Sequence, residues 1–171
     1  MVEVVDNFLE EPDFLRLQDI FMGVDIPWFY NDAIVYDEIT DDRFQFTHMI
    51  YSNDQQDSGF LPEFDNIRDK LKSISLWRIK ANLLTRTEKI RINDYHIDIG
   101  NIQDQPEKLK MWTTSIYYMN TNNGYTIFKD GTKVNSVANR MVTFPSDIEH
   151  TGTSCTDEKV RVVVNLNYFR G

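Results

Sequence analysis

A single cysteine, Cys155, leaves no partner for an internal disulfide, so packing and hydrogen bonds must hold the fold. That usage reads as a reducing compartment. Glycine and proline are sparse, at seven and five of 171 residues, which excludes collagen-like and low-complexity chains. No apolar run approaches the ~20 residues of a membrane span. The opening Met1-Val2-Glu3-Val4-Val5-Asp6 carries acids where a secretory signal needs a basic region. The expectation is a soluble cytoplasmic protein with no membrane partner. Basic residues are in deficit, 18 Lys and Arg against 27 Asp and Glu for a net charge of −9. Nucleic-acid binding rests on Lys and Arg neutralising phosphates, so this balance disfavours a nucleic-acid partner. Histidine is scarce too, with only three copies, which makes each position informative.

What is present describes an ordinary folded chain, 41% hydrophobic and 13% aromatic. One domain over 1–171 is expected, burying about 70% of the surface its unfolded form exposes. There is no repeat or linker to suggest a second. Pro12 suits a first helical turn, with Phe14, Leu17, Ile20 and Phe21 on one face before Gly23 stops the segment. Pro62 repeats the device with Phe64, Ile67, Leu71 and Ile74. The remaining apolar segments are short and rich in aromatic and β-branched residues. They predict strands near 28–35, 43–51, 76–84, 90–99, 112–119, 125–128, 133–134, 141–144 and 160–169. Early helices and late strands suggest a mainly β antiparallel double-sheet roll backed by helices. Polar stretches 52–59 and 100–110 read as loops at its mouth.

His96-Ile97-Asp98 carries the chemistry. Alternate residues of a strand share a face, so an imidazole and a carboxylate can aim at one point from roughly 7 Å apart along the backbone. His150 is the candidate for a third ligand, because His48 shares a strand face with Phe44, Phe46 and Ile50 and reads as packed and hydrogen-bonded. Two imidazoles and one carboxylate leave metal positions open, the arrangement associated with non-haem Fe(II) oxygenases. His-x-Asp alone is a weak signal; its context adds specificity. Downstream come Ile116-Tyr117-Tyr118-Met119-Asn120, Gly124-Tyr125-Thr126-Ile127-Phe128, then His150, and Arg161 heading Val-Val-Val-Asn-Leu-Asn-Tyr-Phe.

This order resembles the Fe(II)- and 2-oxoglutarate-dependent dioxygenases, in particular their prolyl 4-hydroxylase-like branch, over about residues 78–169. The resemblance implies a double-stranded β-helix (a cupin-like jelly-roll) backed by two or three helices. It implies Fe(II) on His96, Asp98 and His150, with 2-oxoglutarate and O2 as cosubstrates and ascorbate as a further cofactor. Arg161 would pair with the distal carboxylate of 2-oxoglutarate, and Tyr118 would donate its hydroxyl to it. The chemistry agrees, since a guanidinium matches a carboxylate bidentately and keeps its charge. Asn167 and Asn82 are further candidates to touch cosubstrate or substrate, with Asn165 on the same face as Arg161. The compact chain also resembles bacteriophage-encoded members, for which the location would be a host cytoplasm.

Rival readings stay open. Arg161 could form a surface salt bridge with Asp157 or Glu158, and Tyr118 could be core packing with its hydroxyl in solvent. Cys155, near those acids, reads as inert. The implied reaction is hydroxylation of a C–H bond coupled to conversion of 2-oxoglutarate to succinate and CO2. A peptidyl proline or another protein side chain is the leading substrate, with a free amino acid or small metabolite as the alternative. A nucleic-acid demethylase of the same superfamily resembles a pattern with two arginines on the last strand, where this chain has Arg161 and Asn167. A non-catalytic binding or structural protein keeping the roll is the alternative of a different class, and a zinc hydrolase lacks a separate general base.

Overall fold

A computed structural model describes residues 1–34 and 42–171. Its strands are β1 Glu3–Val5, β2 Phe29–Asn31, β3 Gln45–Ser52, β4 Gln55–Gln56, β5 Ser73–Thr85, β6 Trp112–Tyr118, β7 Tyr125–Phe128, β8 Lys133–Asn135, β9 Arg140–Pro145, β10 His150–Gly152 and β11 Val160–Arg170. Its helices are α1 Glu11–Met22, α2 Asp65–Leu71 and α3 Pro106–Leu109, with 3-10 turns at Leu61–Phe64 and Gly100–Ile102. The large sheet runs β1-β9-β6-β11-β5-β3-β2, with β4 paired to β3, and a smaller sheet runs β10-β7-β8. Every pairing of these strands is antiparallel.

Two-residue alternation gives the large sheet two different faces. On one, Ile79 and Ala81 of β5, Tyr117 of β6 and Val162, Val164, Leu166 and Tyr168 of β11 pack under Phe14, Leu17 and Phe21 of α1 and Ile67 and Leu71 of α2. Each such apolar side chain contributes about 1.5–3 kcal/mol on burial, enough to hold helices with no side-chain cap. The opposite face meets the small sheet. There Ile116, Tyr118, Val142, Phe144 and Val163 close on Phe128 and Val134. Two facing antiparallel sheets with helices behind one of them make a double-stranded β-helix.

Several boundaries differ from expectation, each for a local reason. Gly23 ends α1, where a Cβ would stand 2.2 Å from the Asp19 carbonyl oxygen. The second helix ends earlier than its apolar spacing suggests. Lys72 takes a left-handed φ of 54° and caps it, so Ile74 falls on β5 and is exposed. The strand expected at 28–35 shortens to Phe29–Asn31, and its last expected position, Val35, lies outside the described residues. The segment 90–99 is not a strand. It touches the small sheet through isolated bridges at Ile92–Thr153 and His96–His150, and the register slips by one residue between them, so no continuous ladder forms. Among the described residues no helix is long and apolar enough to cross a membrane.

Candidate active site

The His96–His150 bridge builds the site. Each backbone N–H donates to the other residue's carbonyl, at 3.0 and 3.1 Å, which sets the two imidazoles side by side with ring centroids 5.0 Å apart. Asp98, two residues on, turns inward in a bend rather than along a strand. One ligand-type atom from each of His96, Asp98 and His150 lies within 4.8 Å of the others.

Both rings are held at Nδ1. His96 Nδ1 lies 3.1 Å from the Asp94 carbonyl and His150 Nδ1 lies 3.2 Å from that of Ile148. A carbonyl accepts only from N–H, so the proton is assigned to Nδ1 and the lone pair to Nε2 in each neutral ring. His150 Nε2 is buried with no hydrogen-bond partner. An orphaned acceptor at that depth costs about 1–3 kcal/mol unless something meets it. Phe144 and Phe128 pack against the ring, at centroid distances of 4.7 and 6.2 Å. Burial holds the His150 imidazole below its ordinary pKa, in the neutral ligating form. His96 goes the other way: burial opposes its charge, but the negative charge of the Asp98 carboxylate, 3.6 Å from Nε2, outweighs it and raises the pKa.

Asp98 is clamped. Arg78 Nη2 lies 3.1 Å from its Oδ1, Asn167 Nδ2 donates to Oδ2 at 3.1 Å, and Asn165 Nδ2 reaches Oδ2 at 3.3 Å. Arg78 Nε in turn donates to Asn167 Oδ1, and Asn167 Nδ2 also donates to Thr114 Oγ1. Burial alone would raise the carboxyl, yet the Arg78 charge and the histidines hold it well below the usual carboxylate range. The residues fit a divalent metal that takes two neutral imidazoles and one ionised carboxylate, with Fe(II) among the ions such a set suits.

A cavity of about 260 Å³ opens from this cluster toward Arg161, walled by apolar Leu84, Ile116 and Val163. Arg161 is 2% exposed and, among the described residues, pairs with no carboxylate. The rival salt bridge to Asp157 or Glu158 is therefore absent. Its Nε donates to Ser136 Oγ at 2.8 Å and its Nη2 to Thr126 Oγ1 at 3.3 Å. Two glycines make room for it: a Cβ at Gly124 would stand 2.7 Å from Arg161 Cδ, and one at Gly152 would stand 3.3 Å from Nη1.

The other expected residues divide. Asn82 lines the cavity, with its Nδ2 3.4 Å from the Lys80 carbonyl. Asn167 is not among the cavity-lining residues: it is fully buried and donates to the Asp98 carboxylate. Tyr118 is fully buried and donates to Thr126 Oγ1 at 2.7 Å, so Thr126 presents the hydroxyl to the cavity. Thr126, Arg78 and Lys80 were not singled out from sequence. Arg78, Lys80 and Asn82 alternate with Ile79 and Ala81, a polar stripe on a buried strand that could have flagged them. His48 is buried and bonded at both ring nitrogens, to the Pro27 carbonyl and to Ser58 Oγ. Cys155 is buried and its thiol is pushed up by burial, consistent with an inert side chain.

No protein-family model matches the chain, and no curated protein does. Solved structures match over nearly its whole length. A prolyl hydroxylase from Trichoplax adhaerens, in complex with a hypoxia inducible factor oxygen degradation domain peptide, superposes with a TM-score of 0.64 at 14% identity, covering 98% of this chain and 83% of that one. A 2OG-Fe(II) oxygenase family oxidoreductase from Burkholderia pseudomallei gives 0.67 at 9%, covering 98% and 84%. The fold is that of the Fe(II)- and 2-oxoglutarate-dependent oxygenases. The non-haem alpha-ketoglutarate-dependent epimerase SnoN of nogalamycin biosynthesis shares it as well, with a TM-score of 0.67 at 10% identity, covering 99% and 78%.

Proposed function

We propose that this protein is an Fe(II)- and 2-oxoglutarate-dependent oxygenase that hydroxylates a C–H bond. One observation carries the reading: His150 Nε2 is buried and partnerless beside His96 and Asp98, at one end of a cavity whose other end holds a buried guanidinium with no counter-anion among the described residues. His96, Asp98 and His150 would hold the metal. Bound there, Fe(II) supplies the redox chemistry that couples one O2 and one 2-oxoglutarate to succinate, CO2 and one substrate hydroxyl.

The chain's own residues supply the rest. Arg161 takes the distal carboxylate of 2-oxoglutarate through charge-assisted hydrogen bonds. Thr126 accepts from Tyr118 and Arg161, which leaves its own proton to donate to the same carboxylate. Tyr118 thus acts through Thr126. Arg78, Asn165 and Asn167 fix the Asp98 carboxylate, and Leu84, Ile116 and Val163 exclude water from the cosubstrate stem. Ascorbate serves to keep the metal ferrous.

A peptidyl proline or another protein side chain is one substrate reading, supported by the peptide-bound hydroxylase among the similar structures. A free amino acid or small metabolite is the second, favoured by a cavity at or below the low end of the roughly 300–1,000 Å³ typical of ligand pockets. Purified protein with Fe(II), ascorbate and O2 should convert 2-oxoglutarate to succinate, and His96→Ala should abolish this. Turnover that survives in the variant, or a wild-type protein that binds neither metal nor 2-oxoglutarate, defeats the reading.

A further inference from the structure

Two amide side chains on the cavity wall, Gln45 and Asn93, are left without a task by the reaction scheme. In the segment 91–95 only Asn93 turns inward: Arg91, Ile92, Asp94 and Tyr95 are exposed, while Asn93 is 7% exposed. Its backbone N–H donates to the Gly152 carbonyl at 3.2 Å, and Gly152 abuts the Arg161 guanidinium, so Asn93 stands at that end of the cavity. Its side-chain amide makes no hydrogen bond among the described residues, and neither its oxygen nor its nitrogen is occluded. Buried amides are as a rule satisfied by a partner. An unpaired one on a cavity wall is placed to meet a ligand.

Gln45 supplies the complementary half. It is 5% exposed, and its Nε2 donates to the carbonyls of Ala33 and Ile34, both at 3.2 Å. Those two bonds fix the orientation of the amide and leave Oε1, unpartnered among the described residues and not occluded, as a committed acceptor. Gln45 lies one step beyond the Phe46–Leu83 pair, on the row of Leu84 and Arg161. Arg43, two residues earlier, ties this end of β3 to the segment carrying Asn93: its guanidinium reaches the Ile92 carbonyl at 3.5 Å and the Asp94 carboxylate at 2.6 Å. An acceptor of fixed orientation and an amide able to donate therefore share one end of the cavity, beside apolar Ile34 and Leu84. Neither side chain carries charge. The group that this pair complements is neutral, with one N–H and one carbonyl, which is an amide.

We propose that Gln45 and Asn93 hold an amide group of the prime substrate, its N–H donating to Gln45 Oε1 and its carbonyl accepting from Asn93 Nδ2. This rests on the oxygenase reading and adds to it two residues that orient the substrate. 2-Oxoglutarate has no N–H and leaves Gln45 Oε1 unserved. The amide is either a peptide bond beside the oxidised residue or the carboxamide of free asparagine or glutamine, and the test separates these sources.

The experiment is calorimetric binding to protein loaded with Zn(II), which permits no turnover. First 2-oxoglutarate is titrated alone; then N-acetyl amino-acid N-methylamides and, separately, free asparagine and glutamine are titrated into the binary complex. At least one of these probes should bind, and its analogue with the recognised N–H replaced by an ester oxygen should bind about tenfold more weakly, the loss of one hydrogen bond. Asn93→Leu breaks no side-chain hydrogen bond within the described residues, so the Kd for 2-oxoglutarate should change less than about threefold while the probe weakens about tenfold or more. Asn93→Gln, which keeps the amide, should recover part of the loss. Unchanged 2-oxoglutarate binding also reports that the variants are folded. Binding of the blocked amino acids identifies a peptide bond, and binding of free asparagine or glutamine a side-chain carboxamide; either supports the proposal. It is overturned if no probe binds, if the ester analogues bind as tightly as the amides, or if Asn93→Leu either leaves the probe unaffected or weakens 2-oxoglutarate itself by tenfold. A wild-type protein that fails to bind 2-oxoglutarate sinks the oxygenase reading instead.

Discussion

Arg161→Met separates a ligand-holding arginine from a structural one. In the structure the guanidinium is buried, makes hydrogen bonds to two hydroxyls and, among the described residues, faces no carboxylate. Replacing it with an apolar chain of similar length removes the cost of an unpaired buried cation and leaves the Ser136 hydroxyl, 1% exposed, without its donor. These changes oppose each other, so the ligand-free stability should move by no more than ~1 kcal/mol. Binding should respond very differently. Two hydrogen bonds to a charged carboxylate are worth about 1.5–3 kcal/mol each, and losing roughly 3 kcal/mol raises the Kd for 2-oxoglutarate about a hundredfold. In Zn(II)-loaded protein, 2-oxoglutarate at a hundred times the wild-type Kd should stabilise the fold by about 2.7 kcal/mol. At about 2–4 °C per kcal/mol for a chain of this size, that is a Tm rise of about 5–10 °C. The variant should show almost none of this rise, with its own Tm near the wild-type apo value. Differential scanning fluorimetry reads both numbers. A variant that unfolds many degrees earlier yet keeps the full ligand-induced rise would show that Arg161 serves the fold and not the cosubstrate.

Asp98→Ala should cost about 3–5 kcal/mol in urea unfolding, because it leaves Arg78 uncompensated beside the cavity, whereas His96→Ala, whose side chain is 27% exposed, should cost far less. Both should lose stoichiometric metal by elemental analysis. Thr126→Val should raise the KM for 2-oxoglutarate by about tenfold with little change in kcat, and Tyr118→Phe should raise it by less, since Tyr118 reaches the cosubstrate only through Thr126; the opposite ranking would restore direct contact by Tyr118. At the β1 end, the hydrogen bond from Arg140 lowers the Asp6 carboxyl pKa. A depressed carboxylate stabilises above its unfolded pKa and loses that contribution as pH falls through the folded value. Asp6→Asn should therefore cost a few tenths of a kcal/mol at pH 7, reduced by exposure, and progressively less as pH falls below the unfolded carboxyl value; a cost that does not decline in acid would contradict this linkage.

Much of the architecture is legible in residue order because two-residue alternation is a local property. Val162, Val164 and Leu166 against Arg161, Val163 and Asn165 announce a strand with one face on a core and one on a polar cavity, and that is how β11 lies. The residue types of the candidate metal cluster are equally local, since His96, Asp98 and His150 combine suitable donors with the surrounding order of motifs. What sequence could not supply was anything decided across elements. The polar and apolar pattern of 90–99 suits a strand, but the one-residue slip between its two bridges is a property of how it meets β10. Tyr118 and Thr126 both offer hydroxyls, and only the distance between the two sheets determines which one reaches the cavity.

The residue order by itself determined the roll, its helical backing and a candidate set of metal-ligating side chains, because hydrophobic period and ligand chemistry are written residue by residue. Tertiary structure alone decided that Arg78 and Asn167 clamp Asp98, that Asn165 and Lys80 stand opposite each other, and that Arg161 meets no acid among the described residues. Each of those facts depends on strands distant in sequence being laid side by side in one register, and no window along the chain contains that register.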